Sequence, residues 1–153
     1  MNTITLNNGV EMPQLGFGVW QVQNEEATAA AQTAIEVGYR SIDTAMIYQN
    51  EEGVGKAIKN VGIAREDLFI TTKVWNTDQG YEQTLKAFDE SLEKLGLDYV
   101  DLYLVHWPTP QFDTYVDTYK ALEKLYKDGR VKAIGVCNFH IEHLERILNE
   151  CSV

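Results

Sequence analysis

The sequence predicts an α/β fold built on a parallel β-sheet. Two observations predict it: a hairpin signal lies near the amino terminus, and five strand-like segments then alternate with helix-like segments in units of about thirty residues, the size of a βαβ step. Connections between such strands are right-handed, and two arrangements satisfy this rule. One is an eight-stranded barrel that lacks its last three strands, and the other is a five-stranded doubly wound sheet. Because the sequence contains no linker or low-complexity tract, residues 1–153 are expected to form one domain.

The first half of the chain contains the hairpin and two strand–helix pairs. Asn7-Asn8-Gly9 lies between two short apolar segments, a combination that favours a hairpin turn. The glycine-containing segment LGFGVW is typical of a short strand, and the alanine-rich segment after it has a helical period that stops at Gly38. The expected elements are hairpin strands 3–6 and 10–12, strand 15–20, helix 25–37, strand 41–45 and helix 50–61.

The second half of the chain repeats the strand–helix pattern three times. The apolar segments LFITTKVW, VDLYLVHW and VKAIGVCN have the composition of buried strands, and Pro108 closes the second of them. The helical segments between them are amphipathic and end at Gly96 and at Asp128-Gly129. The expected elements are strand 67–75, helix 80–95, strand 100–107, helix 114–127, strand 131–138 and helix 141–149.

Composition and charge argue against several classes of protein. The chain is 44% hydrophobic and 24% charged, as expected for a globular protein, and its net charge of −10 argues against binding to nucleic acid or to an anionic membrane. No apolar run approaches the ~18 residues of a membrane span, and the first residues lack the layout of a signal peptide. Cys137 and Cys151 form neither a disulfide framework nor a CxxC pair, so we expect a cytoplasmic location.

Polar residues stand at the carboxyl ends of four successive predicted strands. Asp43 ends the second strand and Tyr48 follows it, while Lys73, His106 and Asn138 end the next three strands. Ligands of parallel α/β sheets bind at the carboxyl ends of the strands, where these residues would meet. Taken singly, Asp43 is typical of a turn and Tyr48 of a surface loop. Lys73 is different, because a lysine in an apolar strand needs a partner.

Together, these residue types suit the protonation of a carbonyl oxygen. Tyrosine, with a pKa near ~10, is a poor proton donor at neutral pH, but a neighbouring ammonium lowers its pKa. We expect Tyr48 to be the acid and Lys73 to lower its pKa, with Asp43 holding the lysine. His106 would orient the carbonyl group. No side chain delivers hydride, so the reaction requires a nicotinamide cofactor.

Four motifs resemble those of the aldo-keto reductase family and occur in the family's order. GYRSIDTAMIYQNEEGVG, which includes Glu51, is similar to the first family signature, and VKAIGVCNF is similar to the signature around the fifth strand. LFITTKVW carries the family lysine and LVHWP the family histidine. The resemblance covers essentially the whole chain. It implies a (β/α)8 TIM-barrel-type fold, truncated here to an N-terminal hairpin plus five β/α units, with residues 1–153 forming a partial barrel domain.

The resemblance also implies a cofactor, NADP(H), and roles for individual residues. The residues that match the family's catalytic tetrad are Asp43, Tyr48, Lys73 and His106. The matches to cofactor-binding positions are Asp43, Cys137 and Asn138. The family often has serine where Cys137 stands, and a thiol is a weaker hydrogen-bond donor. The residues at positions that line the family's substrate pocket are Trp20, Tyr48, Trp75, His106 and Trp107.

The expected activity is NADP(H)-dependent reduction of aldehydes or ketones to alcohols, with Tyr48 as the proton donor. The short loop after the fourth strand favours small aldehydes or dicarbonyls. The alternative is a non-catalytic fragment, or a module that binds or senses the cofactor and keeps the family motifs. Cys137, His140 and His143 are three residues apart in sequence but do not have the spacing of a zinc site, so no metal is expected.

Length is the main departure from the family, because a full barrel of this type has ~250 residues or more. We expect the chain to be the amino-terminal part of such a barrel. It would lack strands six to eight, together with an aromatic platform for the nicotinamide and a basic loop for the 2′-phosphate. Five barrel strands would leave two open edges and an uncovered apolar interior. We therefore expect self-association through those edges, or flattening into the doubly wound sheet.

Overall fold

A computed structural model of the protein describes residues 2–153, in which a two-stranded antiparallel hairpin precedes a five-stranded parallel sheet. The hairpin strands are β1 (Thr3–Thr5) and β2 (Glu11–Pro13). The parallel strands are β3 (Phe17–Gly18), β4 (Ser41–Asp43), β5 (Phe69–Val74), β6 (Val100–Val105) and β7 (Val131–Val136). The helices are α1 (Asn24–Glu36), α2 (Glu51–Asn60), α3 (Tyr81–Leu95), α4 (Tyr115–Lys127) and α5 (Ile141–Glu150).

Every predicted element is present, and most of the differences lie at the strand ends. The first parallel strand keeps only two of its six predicted residues, because Val22 N–H bonds to Val19 O and the chain turns there, with Gln21 at φ +61°. The third parallel strand begins at Phe69, since Arg65–Asp67 form a 3-10 turn. The strands predicted to reach His106 and Asn138 stop before them, which leaves both residues in loops.

The order of the strands in the sheet distinguishes the two predicted architectures. The order is β3-β4-β5-β6-β7, the order of the chain itself. In a doubly wound sheet the order of the strands reverses at a switch point, and this sheet has no such reversal. The predicted alternative of a doubly wound sheet is therefore wrong. Each helix packs against the next along the chain, from α1 to α5, which places the helices on one face of the sheet. This is the arrangement of five successive units in a (β/α)8 barrel wall.

The register of the sheet determines which side chains share the other, inner face. Thr71 is paired with Asp43 on one side and with Leu102 on the other, and Lys73 is paired with Leu104. Cross-strand partners point to the same side, because side chains alternate along each strand. The inner face of the sheet therefore carries these five residues.

The main hydrophobic core lies between the outer face of the sheet and the helices. Tyr103 of β6 is fully buried there, and its ring lies 4.8 Å from that of Phe88 of α3. Ile42, Ile70 and Leu122 belong to the same buried cluster. No helix within residues 2–153 has the length and apolar character required to cross a bilayer.

Glycines allow the close helix packing around this core. Gly96 adopts a left-handed conformation at φ +64° and ends α3, where its N–H and that of Leu97 bond to carbonyls of the last turn. Gly55 of α2 lies against the backbone of Leu95, so close that an added Cβ would be 2.3 Å from the Leu95 carbonyl oxygen. Helices α2 and α3 therefore approach each other more closely than any larger residue at position 55 permits.

The amino-terminal hairpin lies at the opposite end of the sheet from the predicted site. Its five-residue loop is longer than the Asn-Gly signal alone implies. It closes through Leu6 N–H to Val10 O and Gly9 N–H to Leu6 O, and it contains Gly9 at φ +86°. Asn8 Nδ2 donates a 2.9 Å hydrogen bond to Lys132 O, near the start of β7. The hairpin thus packs at the amino ends of the strands and leaves the carboxyl ends open.

Candidate active site

The carboxyl ends of the strands, called here the carboxyl rim, bring the predicted catalytic residues together. Asp43 is the last residue of β4, Lys73 is the last but one of β5, and His106 directly follows β6. Tyr48 ends a 3-10 turn, Met46–Tyr48, that follows β4. All four side chains belong to one cluster, in which Lys73 contacts Asp43 and Tyr48, and Tyr48 contacts His106.

Lys73 is buried on the inner face and has an anionic partner. Its Nζ donates a 2.6 Å hydrogen bond to Asp43 Oδ1 and a 2.9 Å bond to the backbone oxygen of Thr44. Only 4% of Lys73 is exposed, whereas the Asp43 side chain is half-exposed. The carboxylate and the carbonyl together offset the cost of removing the ammonium from water. The expectation that Lys73 requires a partner is confirmed.

Tyr48 lies beside this ammonium. Lys73 Nζ is 5.1 Å from the centre of the Tyr48 ring, and the Tyr48 and His106 rings are nearly perpendicular with a centroid distance of 5.8 Å. The 3-10 turn that carries Tyr48 is closed by Tyr48 N–H to Ala45 O and ends at Gln49, which has a left-handed φ of +56°. The turn therefore directs the phenol to the space between the lysine and the histidine.

Asn50, which the sequence did not single out, anchors the loop that carries Tyr48. Its buried amide accepts a 2.6 Å hydrogen bond from the Thr44 hydroxyl and donates to the backbone oxygens of Val19 and Val22 at 2.9 and 2.8 Å. These bonds connect the loops that follow β3 and β4. An asparagine before a helix is typical of an ordinary cap, so no local signal distinguished this residue.

His106 is a neutral histidine in this environment. Burial, and secondarily the charge of Lys73, lower the pKa of His106 to about 4. Its Nδ1 is buried and has no hydrogen-bond partner within residues 2–153, while its ring packs against that of Trp75 at 5.2 Å. A neutral imidazole has one N–H donor and one acceptor, so it can donate to a carbonyl oxygen without carrying charge.

Asn138 connects the ends of β6 and β7. It has a left-handed φ of +61°, and its Nδ2 donates to the His106 backbone oxygen at 2.9 Å and to Cys137 Sγ at 3.2 Å. Asparagine tolerates this backbone conformation better than most residues. Cys137 and Asn138 therefore lie on the carboxyl rim next to His106.

The tryptophans form the walls of a groove above Tyr48 and His106. The groove has a volume of about 520 Å³ and is lined by Trp20, Gln21, Ile47, Tyr48, Trp75, His106 and Trp107. It contains all five residues predicted to contact substrate. Gln21 and Ile47 were not predicted, since neither has a composition or spacing signal. A larger cavity of about 1080 Å³ lies between α2 and α3 and contains none of the predicted site residues.

Glu51 and the histidines His140 and His143 make hydrogen bonds within the fold, away from the groove. Glu51 of the signature is buried on the helix-facing side of the sheet, where it accepts a 2.6 Å hydrogen bond from Thr72 and where burial raises its pKa. His143 Nδ1 accepts a 3.1 Å hydrogen bond from His140 N–H at the start of α5. In the part of the chain that the structure describes, no group of three or more His, Cys, Asp or Glu is placed to hold a metal ion.

The strand order and the polar cluster at the carboxyl rim define an α/β-barrel protein whose candidate site is built from successive strand ends. Comparison with known proteins identifies the family. The sequence profile of the Aldo/keto reductase family matches residues 14–153, and the chain belongs to that family.

Individual relatives agree with this assignment. The chain is 61% identical to the glyoxal reductase of Bacillus subtilis over 153 residues, which is 99% of this chain and 55% of that protein. It superposes on the crystal structure of an aldo/keto reductase from Brucella melitensis with a TM-score of 0.97 and 60% identity, over 99% of this chain and 59% of the other. It superposes on an aldo-keto reductase of Bombyx mori in complex with NADP with a TM-score of 0.92 and 37% identity, over 99% of this chain and 55% of the other.

The chain spans about half the length of the curated relatives that it matches. The matching half contains Asp43, Tyr48, Lys73 and His106, the four residues predicted from the sequence to form the catalytic tetrad. The fold is thus that of the first five strand–helix units of the family's barrel.

Proposed function

We propose that the protein acts in the NADP(H)-dependent reduction of aldehydes and ketones to alcohols, with Tyr48 as the proton donor. The observation that carries the proposal is the cluster of an ammonium, a phenol and a neutral imidazole at the carboxyl rim. The relative named glyoxal reductase supports a small dicarbonyl compound as substrate. The groove of about 520 Å³ is large enough for a molecule of that size.

The proposed role of each residue follows from its contacts. The Lys73 ammonium, held by Asp43, stabilises the phenolate that Tyr48 becomes after it donates its proton. The neutral His106 donates a hydrogen bond to the carbonyl oxygen and orients it towards Tyr48. Because His106 is uncharged, it does not compete with Lys73 for the developing negative charge.

Asn138, Cys137 and Asp43 are the residues proposed to hold the nicotinamide. Asn138 uses its amide nitrogen to bond to His106 O and Cys137 Sγ, so its amide oxygen can accept a hydrogen bond from a carboxamide N–H. An acceptor at this position fits the N–H groups of a nicotinamide carboxamide, and the NADP complex of the Bombyx mori relative supports the same cofactor. When bound, the cofactor supplies the hydride, which no side chain supplies.

The replacement Tyr48→Phe tests the proposed proton donor. Loss of a positioned general acid lowers the rate by about 10²–10⁴-fold, so we expect kcat for glyoxal to fall by that factor, measured as the loss of NADPH absorbance. Binding of NADPH, followed by fluorescence, is expected to change little, because the ring remains in place.

Tyr81→Phe is the matched control, since Tyr81 begins α3 and does not line the groove. It removes the same hydroxyl group and should leave kcat unchanged. Full glyoxal reduction by Tyr48→Phe would contradict the assignment of the donor. If the unchanged chain bound NADPH but reduced no carbonyl compound, the protein would be a cofactor-binding module instead of a reductase.

A further inference from the structure

Gln79 is a buried amide in the loop after β5, and all of its hydrogen bonds go to the neighbouring loop. It is 8% exposed and follows a 3-10 turn, Asn76–Asp78. Its Nε2 donates a 2.6 Å hydrogen bond to the backbone oxygen of Trp107. Its Oε1 accepts 2.8 Å hydrogen bonds from the hydroxyls of Thr109 and Thr114. The three partners lie at the start, in the middle and at the end of the loop that connects β6 to α4.

That loop has a backbone conformation that requires support. Thr109 and Asp113 have left-handed φ values of +39° and +54°, although neither is a glycine. Such conformations are costly for residues with a Cβ and persist where surrounding contacts hold them. Gln79 supplies contacts of this kind to Thr109 and to both ends of the loop, because an amide side chain offers a donor and a two-fold acceptor together in a fixed plane. The Asp113 carboxylate is bonded by Arg146.

A second set of bonds attaches the Gln79 turn to α4. Gly80 N–H donates a 2.8 Å hydrogen bond to the hydroxyl of Thr118, and that hydroxyl donates at 2.9 Å to Thr114 O. Thr118 is fully buried. The turn after β5 and the loop after β6 are therefore held together as one unit.

The two connected loops adjoin two of the tryptophans that line the groove. Trp75 directly precedes the turn, which closes through Asp78 N–H to Trp75 O at 3.1 Å, and Trp107 accepts the hydrogen bond from Gln79. Both indoles line the groove with Tyr48 and His106. Trp107 is 43% exposed, so packing alone does not immobilise it.

We propose that Gln79 is a positioning residue that holds Trp107 against the groove and thereby determines which carbonyl substrates bind. The proposal rests on the proposed reductase function. Flat aromatic aldehydes gain affinity from stacking on an immobile indole, since aromatic contact depends on a defined ring orientation. Small dicarbonyl compounds contact mainly Tyr48 and His106, and they depend much less on Trp107.

The first experiment measures the mobility of Trp107 and does not depend on activity. The chain has three tryptophans, so a Trp20→Phe, Trp75→Phe background leaves Trp107 as the only one. In that background, Gln79→Met, which has a similar shape but forms none of the three hydrogen bonds, should lower the fluorescence anisotropy of Trp107. Gln83→Met is the control, because it makes the same change at an exposed position of α3. Equal anisotropy in the two variants would overturn the proposal.

The second experiment separates substrate selection from a purely structural role. In the chain with all tryptophans present, Gln79→Met should raise KM for an aromatic aldehyde about tenfold, which corresponds to ~1.4 kcal/mol of lost binding to the indole. Its kcat, and the KM for glyoxal, should stay within about twofold of the parent values. An unchanged KM for the aromatic aldehyde would overturn the role in selection.

Two further outcomes keep the tests independent. If the parent chain reduces neither substrate, the proposed function fails, while the anisotropy of Trp107 still decides whether Gln79 holds the loop. If circular dichroism shows that Gln79→Met does not fold, Thr114→Val removes one of the two bonds to Oε1 with little change in volume. It should lower the anisotropy of Trp107 to a smaller degree, and no change would count against the proposal.

Discussion

Lys73 is the residue that most clearly connects sequence, packing and chemistry. A lysine that is 4% exposed on the inner face of a sheet is tolerated because Asp43 and the Thr44 carbonyl both accept hydrogen bonds from it. The same position puts its charge 5.1 Å from the Tyr48 ring and next to His106, where it contributes to the low pKa of the histidine. One buried charge therefore affects both of the groups proposed to contact the carbonyl oxygen.

At this scale we predict that His106 remains neutral down to acidic pH. Its pKa of about 4 in the folded chain lies below the value of ~6.5 expected in the unfolded chain. Its Cε1 proton resonance should therefore not shift between pH 8 and about pH 5, whereas it should titrate near the ordinary value in urea. The His106→Gln variant identifies the resonance. A midpoint above pH 6 in the folded chain would contradict the environment described here.

The same shift has a consequence for stability. Between the two pKa values the unfolded chain binds a proton at His106 and the folded chain does not. The unfolded state is therefore stabilised relative to the folded state as pH falls. The free energy of unfolding should therefore decrease as pH falls from about 6.5 to about 4, and His106→Gln should lose this part of the pH dependence.

At the scale of elements, the contact between α2 and α3 depends on a residue without a side chain. Gly55 lies against the backbone of Leu95, and neither helix can yield locally because Leu95 and the neighbouring Val54 and Ile58 are buried. Interdigitation this close fixes the separation of the two helices.

Gly55→Ala is predicted to destabilise the protein. Alanine favours a helix by up to ~1 kcal/mol over glycine, but the clash with the Leu95 carbonyl forces the helices apart, and such overpacking costs about 1–3 kcal/mol. The midpoint of urea unfolding should therefore decrease. Gly18→Ala is the control, since nothing lies within 4 Å of its added Cβ, and its midpoint should change little. An increased midpoint for Gly55→Ala would mean that the helices adjust without cost.

At the scale of the whole molecule, the sheet is singly wound and has exposed edges. Within residues 2–153, β7 pairs only with β6, and β3 pairs only with β4. The inner-face residues Leu102 and Leu104 are only half-buried, although β6 has a paired strand on each side. An open edge beside an apolar face favours association with another chain.

We predict that the chain self-associates through this inner face as its concentration rises. In sedimentation velocity, the weight-average mass should increase towards that of a dimer, and Leu102→Glu should suppress the increase by placing a charge on the inner face. Val37→Glu is the control, because it makes the same replacement at a residue that is 72% exposed beyond the end of α1. A monomer at all concentrations, or an equal effect of both variants, would contradict this prediction.

Local signals in the sequence predict every helix and strand, indicate the family and single out Asp43, Tyr48, Lys73 and His106, which the structure brings together at the carboxyl rim. Hydrophobic period and Gly or Pro residues are local signals, so helices such as α3 were located within one residue of their observed ends. The polar residues at strand ends could also be recognised locally, because each interrupts an apolar segment or directly follows one. Lys73 was the strongest of these signals, since a lone lysine in a buried strand demands a partner.

The strand order, the low pKa of His106 and the hydrogen bonds of Asn50 and Gln79 could not be predicted from the sequence. Each of these depends on contacts between residues that are far apart in the sequence, such as Gln79 with Trp107 or Lys73 with Asp43. Such contacts leave no periodic pattern of apolar residues in the sequence. An asparagine or glutamine in a loop has the same sequence neighbours whether it is solvated or buried. The same alternation of strands and helices suits a doubly wound sheet and a barrel, because the choice between them depends on which strands become neighbours.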